Sequence, residues 1–186
     1  MDLILASSSP RRRELLARLT SDFVVVPSRV DEIGIGAPAE RVVEAARAKV
    51  RAVGRAERGV IIGADTVVVV DDEVLGKPET RDQAKQMLQR LSGRTHTVLT
   101  GLCVWNTETA EERTHCEETQ VTFRFLEARE IEAYLDTGEH RDKAGSYAIQ
   151  GVAAKFISGI RGDYTNVMGF PLCRLTLLLR EVGVRL

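Results

Sequence analysis

An aspartate set inside a run of valines and isoleucines is the first candidate for chemistry. Asp65 stands in Gly63-Ala64-Asp65-Thr66, preceded by Val60, Ile61 and Ile62 and followed by valines at 67–70. A carboxylate in the middle of a buried strand is unfavourable unless it is paired or put to use. Two readings follow: a side chain needed for catalysis, or an aspartate bonding backbone groups at a bulge marked by Gly63. A second stretch lies near the start of the chain. There Ser7-Ser8-Ser9-Pro10 leads into a helix whose first turn carries Arg11, Arg12 and Arg13. Those arginines have the wrong sign for the positive end of a helix dipole, and a negative ligand would resolve the conflict. Strand, small-residue loop and helix N-terminus together form a phosphate seat; the alternative is a solvated basic patch. Asp31-Glu32 follows in a loop, and near a phosphate seat such a pair becomes a candidate magnesium ligand set. In an extended segment the two point differently, so one of them faces the site.

The elements that must hold these residues can be read in order. Residues 3–6 form a strand, and Ser9 and Pro10 begin a helix to about residue 19, its buried face made by Leu15, Leu16 and Leu19. A strand at 23–26 precedes a helix from 39 to about 53, with Val42, Ala46, Val50 and Val53 on its apolar side. Stepping about 100° per residue puts Lys49 on that same side. An inward lysine either snorkels to the surface or presents a cation to a polyphosphate. The strand carrying Asp65 pairs with 73–75 as a hairpin, which ends at Gly76-Lys77-Pro78. Thr80 to Gln83 reads as a capping box for a helix through Leu91, stopped by Gly93.

Residues 95–105 and 116–125 alternate like antiparallel strands, and a short helix follows with Ile131, Tyr134 and Leu135 inward. The polar, glycine-rich stretch 139–151 reads as a second site loop. A further hairpin, 152–160 with 164–167, turns at Arg161-Gly162-Asp163, before a C-terminal helix with a stripe of Leu172, Leu175, Leu178, Leu179 and Val182. The pattern is α/β with a mixed, strongly twisted sheet in a single domain.

Composition narrows the function classes. The chain has 186 residues, 44% hydrophobic, with a formal net charge of −1. That balance argues against a general nucleic-acid binder, and no apolar run approaches the roughly 20 residues that span a bilayer. No signal-peptide pattern opens the chain, so a cytoplasmic location is expected. Cys103, Cys116 and Cys173 are odd in number and fit reduced thiols. The histidines show no metal-ligand spacing, which argues against zinc.

Taken in order, these segments resemble the motifs of the Maf family of nucleoside triphosphate pyrophosphatases. The resemblance rests on Ser7-Ser8-Ser9-Pro10-Arg11-Arg12, Arg47-Ala48-Lys49, Gly63-Ala64-Asp65-Thr66, Gly76-Lys77-Pro78, Ser92-Gly93-Arg94-Thr95-His96 and Asp142-Lys143-Ala144-Gly145-Ser146-Tyr147-Ala148-Ile149-Gln150-Gly151. It implies an inosine triphosphatase-like fold, with a long twisted mixed sheet, helices on both sides and two lobes around a cleft. It also implies hydrolysis of a nucleoside triphosphate to the monophosphate and pyrophosphate, a divalent cation (Mg2+ or Mn2+), and a homodimer. By that resemblance Asp65 is the general base, and Arg11, Thr66 and Gln150 match positions that influence base choice. Glu32, Lys49 and Lys77 match charged positions of the site. Residue chemistry agrees: Arg11 or Arg12, Lys49 and Lys77 would neutralise the phosphates, and Glu32 is the choice of metal ligand.

A primary amide at Gln150 complements the N3–H and a carbonyl of thymine or uracil. Tyr147-Ala148-Ile149-Gln150 resembles the dTTP/UTP pattern, whereas the 7-methyl-GTP subfamily tends to have Glu there. The loop departs from the family at Glu139-His140-Arg141-Asp142, which lacks the aromatic often found after the Gly-Glu pair. The alternatives are a 7-methyl-GTP pyrophosphatase, or a nucleotide-binding regulator of septum formation and cell division.

Overall fold

Apolar strands alternate with amphipathic helices along the chain, and the strands assemble into one sheet. The structure, a computed structural model, describes residues 2–28, 30 and 36–186. In chain order the elements are β1 (Leu3–Leu5), α1 (Pro10–Ala17), β2 (Val24–Val25), α2 (Pro38–Val53), β3 (Val60–Val70), β4 (Glu73–Leu75) and α3 (Arg81–Leu91). They continue with β5 (Thr95–Asn106), β6 (Glu112–Phe123), α4 (Ala128–Asp136), β7 (Ile157–Arg161), α5 (Tyr164–Val167) and α6 (Leu172–Glu181). The seven strands run in the order β2-β1-β3-β5-β6-β7, with β4 paired to β3. β1 is parallel to both β2 and β3, whereas β4 on β3 and β7 on β6 are antiparallel. The fold is α/β around a mixed sheet, as the element pattern implies.

The chain divides into two compact units. One comprises Met1–Thr66, Thr100–Glu117 and Gly169–Leu186. Its core gathers Ile4, Ala6, Ala46, Val50, Val53, Ile61 and Cys103, with Trp105 packed against it. The other comprises Val67–Leu99 and Glu118–Met168. Its centre is aromatic: Phe123 meets His96 and Tyr147 edge-on, and Tyr134 meets Phe156 in the same way. Among the described residues no helix is long and apolar enough to cross a membrane, and the cysteines form no disulfide.

Three local readings change. The stretch 152–167 is not a hairpin: Val152–Phe156 is a 3-10 helix, β7 pairs with β6, and Tyr164–Val167 is helical. The reason is Asp163, whose Oδ1 accepts from the N–H of Thr165 at 2.6 Å and of Asn166 at 3.4 Å. That cap overrides the strand preference of Tyr, Thr and Val. β6 begins at Glu112, four residues before the point that alternation suggests, so the link from β5 is a short tip. At α3, Thr80 caps Gln83 N–H as read, but the Gln83 side chain accepts from Glu79 N–H, one residue before the capping-box position.

Candidate active site

Asp65 sits midway along β3, at the point where burial relaxes from the fully enclosed Ile61 and Ile62 to partly exposed residues. Its side chain keeps 25% exposure, and Lys49 Nζ lies 2.5 Å from its Oδ1. The lysine also donates to the Ala64 carbonyl at 3.3 Å. Helical periodicity thus delivered an inward ammonium to the one carboxylate of the strand.

Two glycines bring α2 near enough to do this. A Cβ on Gly63 would fall 2.5 Å from the Ala46 carbonyl oxygen and 2.7 Å from Val50 Cγ2. One on Gly101, in β5, would fall 2.2 Å from the Val42 carbonyl. Gly63 is therefore a close-approach glycine within β3.

The first turn of α1 is used asymmetrically. Arg12 turns into its own unit, donating from Nη1 to the Ala64 carbonyl (2.8 Å) and Ser7 Oγ (3.4 Å), from Nη2 to Thr66 Oγ1 (3.2 Å), and from Nε to the Gly169 carbonyl (3.0 Å). Burial lowers the Arg12 guanidinium to about 10, the Asp65 carboxylate opposing and Arg11 assisting that shift, so it stays charged at neutral pH. Thr66 Oγ1 also lies 3.0 Å from Thr100 Oγ1. Gly169 has φ +92, and a Cβ there would stand 3.1 Å from Thr66 Oγ1.

Ser7 Oγ accepts the Ser9 N–H at 3.2 Å, which shapes the small-residue loop from within. A groove of about 430 Å³ runs beside it, lined by Ser7, Ser8, Ser9, Arg13 and Val25 among others. Arg11 is half-buried at the start of the same helix.

The second unit holds Lys77 and Gln150, both exposed. Lys77 follows Gly76, whose carbonyl accepts the N–H of Gly145 at 3.1 Å. Gln150 stands on a turn closed by the Gly151 N–H on the Ala148 carbonyl at 3.1 Å. Tyr147, three residues earlier, is buried with its hydroxyl 2.8 Å from His96 Nε2. Burial raises the Tyr147 phenol above its ordinary value and lowers His96 to about 4, so both are neutral near pH 7.

Of the residues chosen from sequence, Ser7, Arg12, Lys49, Asp65 and Thr66 form one connected cluster in the first unit, and Glu32 lies outside the described residues. Thr100 and Gly169 belong to that cluster and were missed. Thr100 interrupts the apolar run Val98-Leu99-Thr100-Gly101-Leu102, the same kind of signal that marks Asp65. Gly169 gave no sign beyond its place before a helix.

A magnesium or manganese ion takes one or two carboxylates and completes its octahedron with water and phosphate oxygens. Asp65, partly exposed, offers one such oxygen donor. Among the described residues no three His, Cys, Asp or Glu side chains gather into a cage, and an ion held largely by substrate needs none. The donor chemistry fits.

Comparison with known proteins adds an independent line. The family model described as Maf-like protein matches residues 2–182. A protein named dTTP/UTP pyrophosphatase from Thermococcus gammatolerans is 50% identical over 181 residues, covering 97% of this chain and 96% of its own length. A protein of the same name from Thermoanaerobacter sp. is 47% identical over 190 residues, covering 100% of both chains. Another, from Moorella thermoacetica, is 50% identical over 185 residues, with 98% and 95% covered.

Proposed function

The chain belongs to the Maf-like protein family, and from that membership we infer that it is a pyrophosphatase hydrolysing dTTP and UTP to the nucleoside monophosphate and pyrophosphate. Relatives matched over essentially their whole length carry that name. Within the molecule one observation carries the chemistry: a partly exposed carboxylate, Asp65, held at 2.5 Å by an ammonium, Lys49.

The roles follow from what the reaction needs. Water adds to the α-phosphorus, the bond from that phosphorus to the bridging oxygen breaks, and pyrophosphate leaves. Asp65 takes the proton of the attacking water. Lys49 fixes the carboxylate through Oδ1 and adds positive charge where the transition state gains negative charge. Arg12 orders the Ala64 carbonyl and Thr66 beside it, while Arg11 and Lys77 are assigned to the phosphates and Gln150 to the base. Asp65 and Glu32 would hold the divalent cation. When bound, that ion would neutralise phosphate charge and acidify the attacking water. We place the enzyme in the cytoplasm as a homodimer, the latter to be checked by sedimentation equilibrium.

The test is product analysis. The purified protein with magnesium or manganese should release pyrophosphate, not orthophosphate, from dTTP and UTP, and should turn over 7-methyl-GTP less well. Asp65→Asn should fold normally and lose on the order of 10²–10⁴ in kcat. An Asp65→Asn enzyme of full activity would remove its assigned role, and nucleotide bound without turnover by the wild type would favour a regulator.

A further inference from the structure

We infer that Glu139 is a positioning residue for nucleobase selection, its carboxylate clamping the turn that presents Gln150. The inference rests on the reading above in which the Gln150 amide meets the base.

Both oxygens of Glu139 are used on backbone immediately after that turn. Oε2 accepts the N–H of Val152 at 2.8 Å, and Oε1 accepts the N–H of Ala153 at 3.3 Å. These are the first two amides of the 3-10 helix, groups that have no partner within the helix itself. Gly151 makes room for the carboxylate. A Cβ on Gly151 would lie 2.0 Å from Glu139 Oε2, 2.4 Å from its Cδ and 2.6 Å from Oε1. At φ −108 Gly151 is not in the left-handed region, and the space filled by the carboxylate is what a side chain here would contest.

On the upstream side Tyr147 is anchored to His96 at 2.8 Å, and the Gly151 N–H closes on the Ala148 carbonyl. Gln150 is thus exposed on a short turn fixed at both ends. The fixed turn sets where the Gln150 side chain starts and how far its amide reaches, and the base then reads which way that amide faces. An amide free to rotate by half a turn presents carbonyl and NH2 in either order, and reads thymine and cytosine equally well. Discrimination between them needs a frame that holds one order.

The experiment compares Glu139→Ala, Gly151→Ala, the double variant and Gln150→Ala. Steady-state kcat/KM is measured on dTTP and dCTP, and hydrogen exchange is followed at the Val152 and Ala153 amides. Each of the first two substitutions should lower the dTTP-to-dCTP ratio about tenfold, the size of one charge-assisted hydrogen bond, through KM more than kcat. The double variant should be no worse than either single, because the carboxylate and the new methyl group compete for one space. Exchange at both amides should accelerate in each single variant, from clear protection in the wild type.

A ratio unchanged in both singles while Gln150→Ala lowers it overturns the inference. So do additive losses in the double variant, or unprotected Val152 and Ala153 amides in the wild type. A ratio unchanged by Gln150→Ala overturns the base-reading assignment itself, and the inference with it.

Discussion

Lys49 and Arg12 are both cations beside Asp65, yet they do different work. Lys49 meets the carboxylate directly at 2.5 Å, whereas Arg12 bonds the carbonyl and hydroxyl groups on either side of it. Lys49→Met should therefore lower kcat/KM for dTTP by about 10² or more, with little change in thermal stability. Arg12→Lys keeps the charge and loses the planar fork, which a single ammonium cannot replace. It should destabilise the fold by about 1–3 kcal/mol in urea unfolding, since polar partners are left without a donor. Asp65 and Lys49 were legible because each breaks a pattern, one as an acid among valines and the other as a base on an apolar helical face. The sequence offers Arg11 or Arg12 to the phosphates, and the inward bonds of Arg12 to Ala64, Thr66 and Gly169 were not legible. Their partners lie 52, 54 and 157 residues away along the chain, where no local pattern reaches.

Between elements, close approach decides the geometry. Gly63→Ala would drive a methyl group into the Ala46 carbonyl and Val50, so α2 must shift, and Lys49 with it. The expected result is a loss of about 1–3 kcal/mol together with a lower kcat. Gly159→Ala, in β7 with nothing within 4 Å of the new Cβ, should stay within about 0.5 kcal/mol of the parent. The aromatic centre of the second unit makes a separate prediction. His96 is 2% exposed, and burial lowers its pKa from 6.5 to about 4. Between those values the unfolded chain binds a proton that the folded chain excludes, so stability is complete above about pH 6.5 and declines toward pH 4. His115 and His140, also lowered by burial, act with the same sign. Unfolding free energies from urea titrations should be lower at pH 4.5 than at pH 7, and His96→Gln should shrink that difference by a few kcal/mol, as an order of magnitude. Element types were legible wherever periodicity was long, as in α2, β3 and α6. The stretch 164–167 was not, because a single capping aspartate outweighs three residues of strand preference.

For the molecule as a whole, the alternation of strands and helices announced the α/β class, and the family motifs, spread over the length of the chain, announced the chemistry. The resemblance implies two lobes, but the bounds of the two units were not legible, because the chain passes between them four times, and those passages fall within strands or turns without a composition change. Three of the passages fall at Thr66, Thr100 and Gly169. All three belong to the knot tied by Arg12 and Thr66 inside the first unit. Arg12→Ala should make the chain a better substrate for limited proteolysis near residues 66, 100 and 169, seen as new fragments by mass spectrometry. A fragment pattern matching the parent would separate this arginine from the order of the chain at those three positions. One side chain at the start of the chain thus ties off threads from its middle and its end. A lesion there would read in a cell as an enzyme that is made but short-lived, a fault of durability more than of turnover.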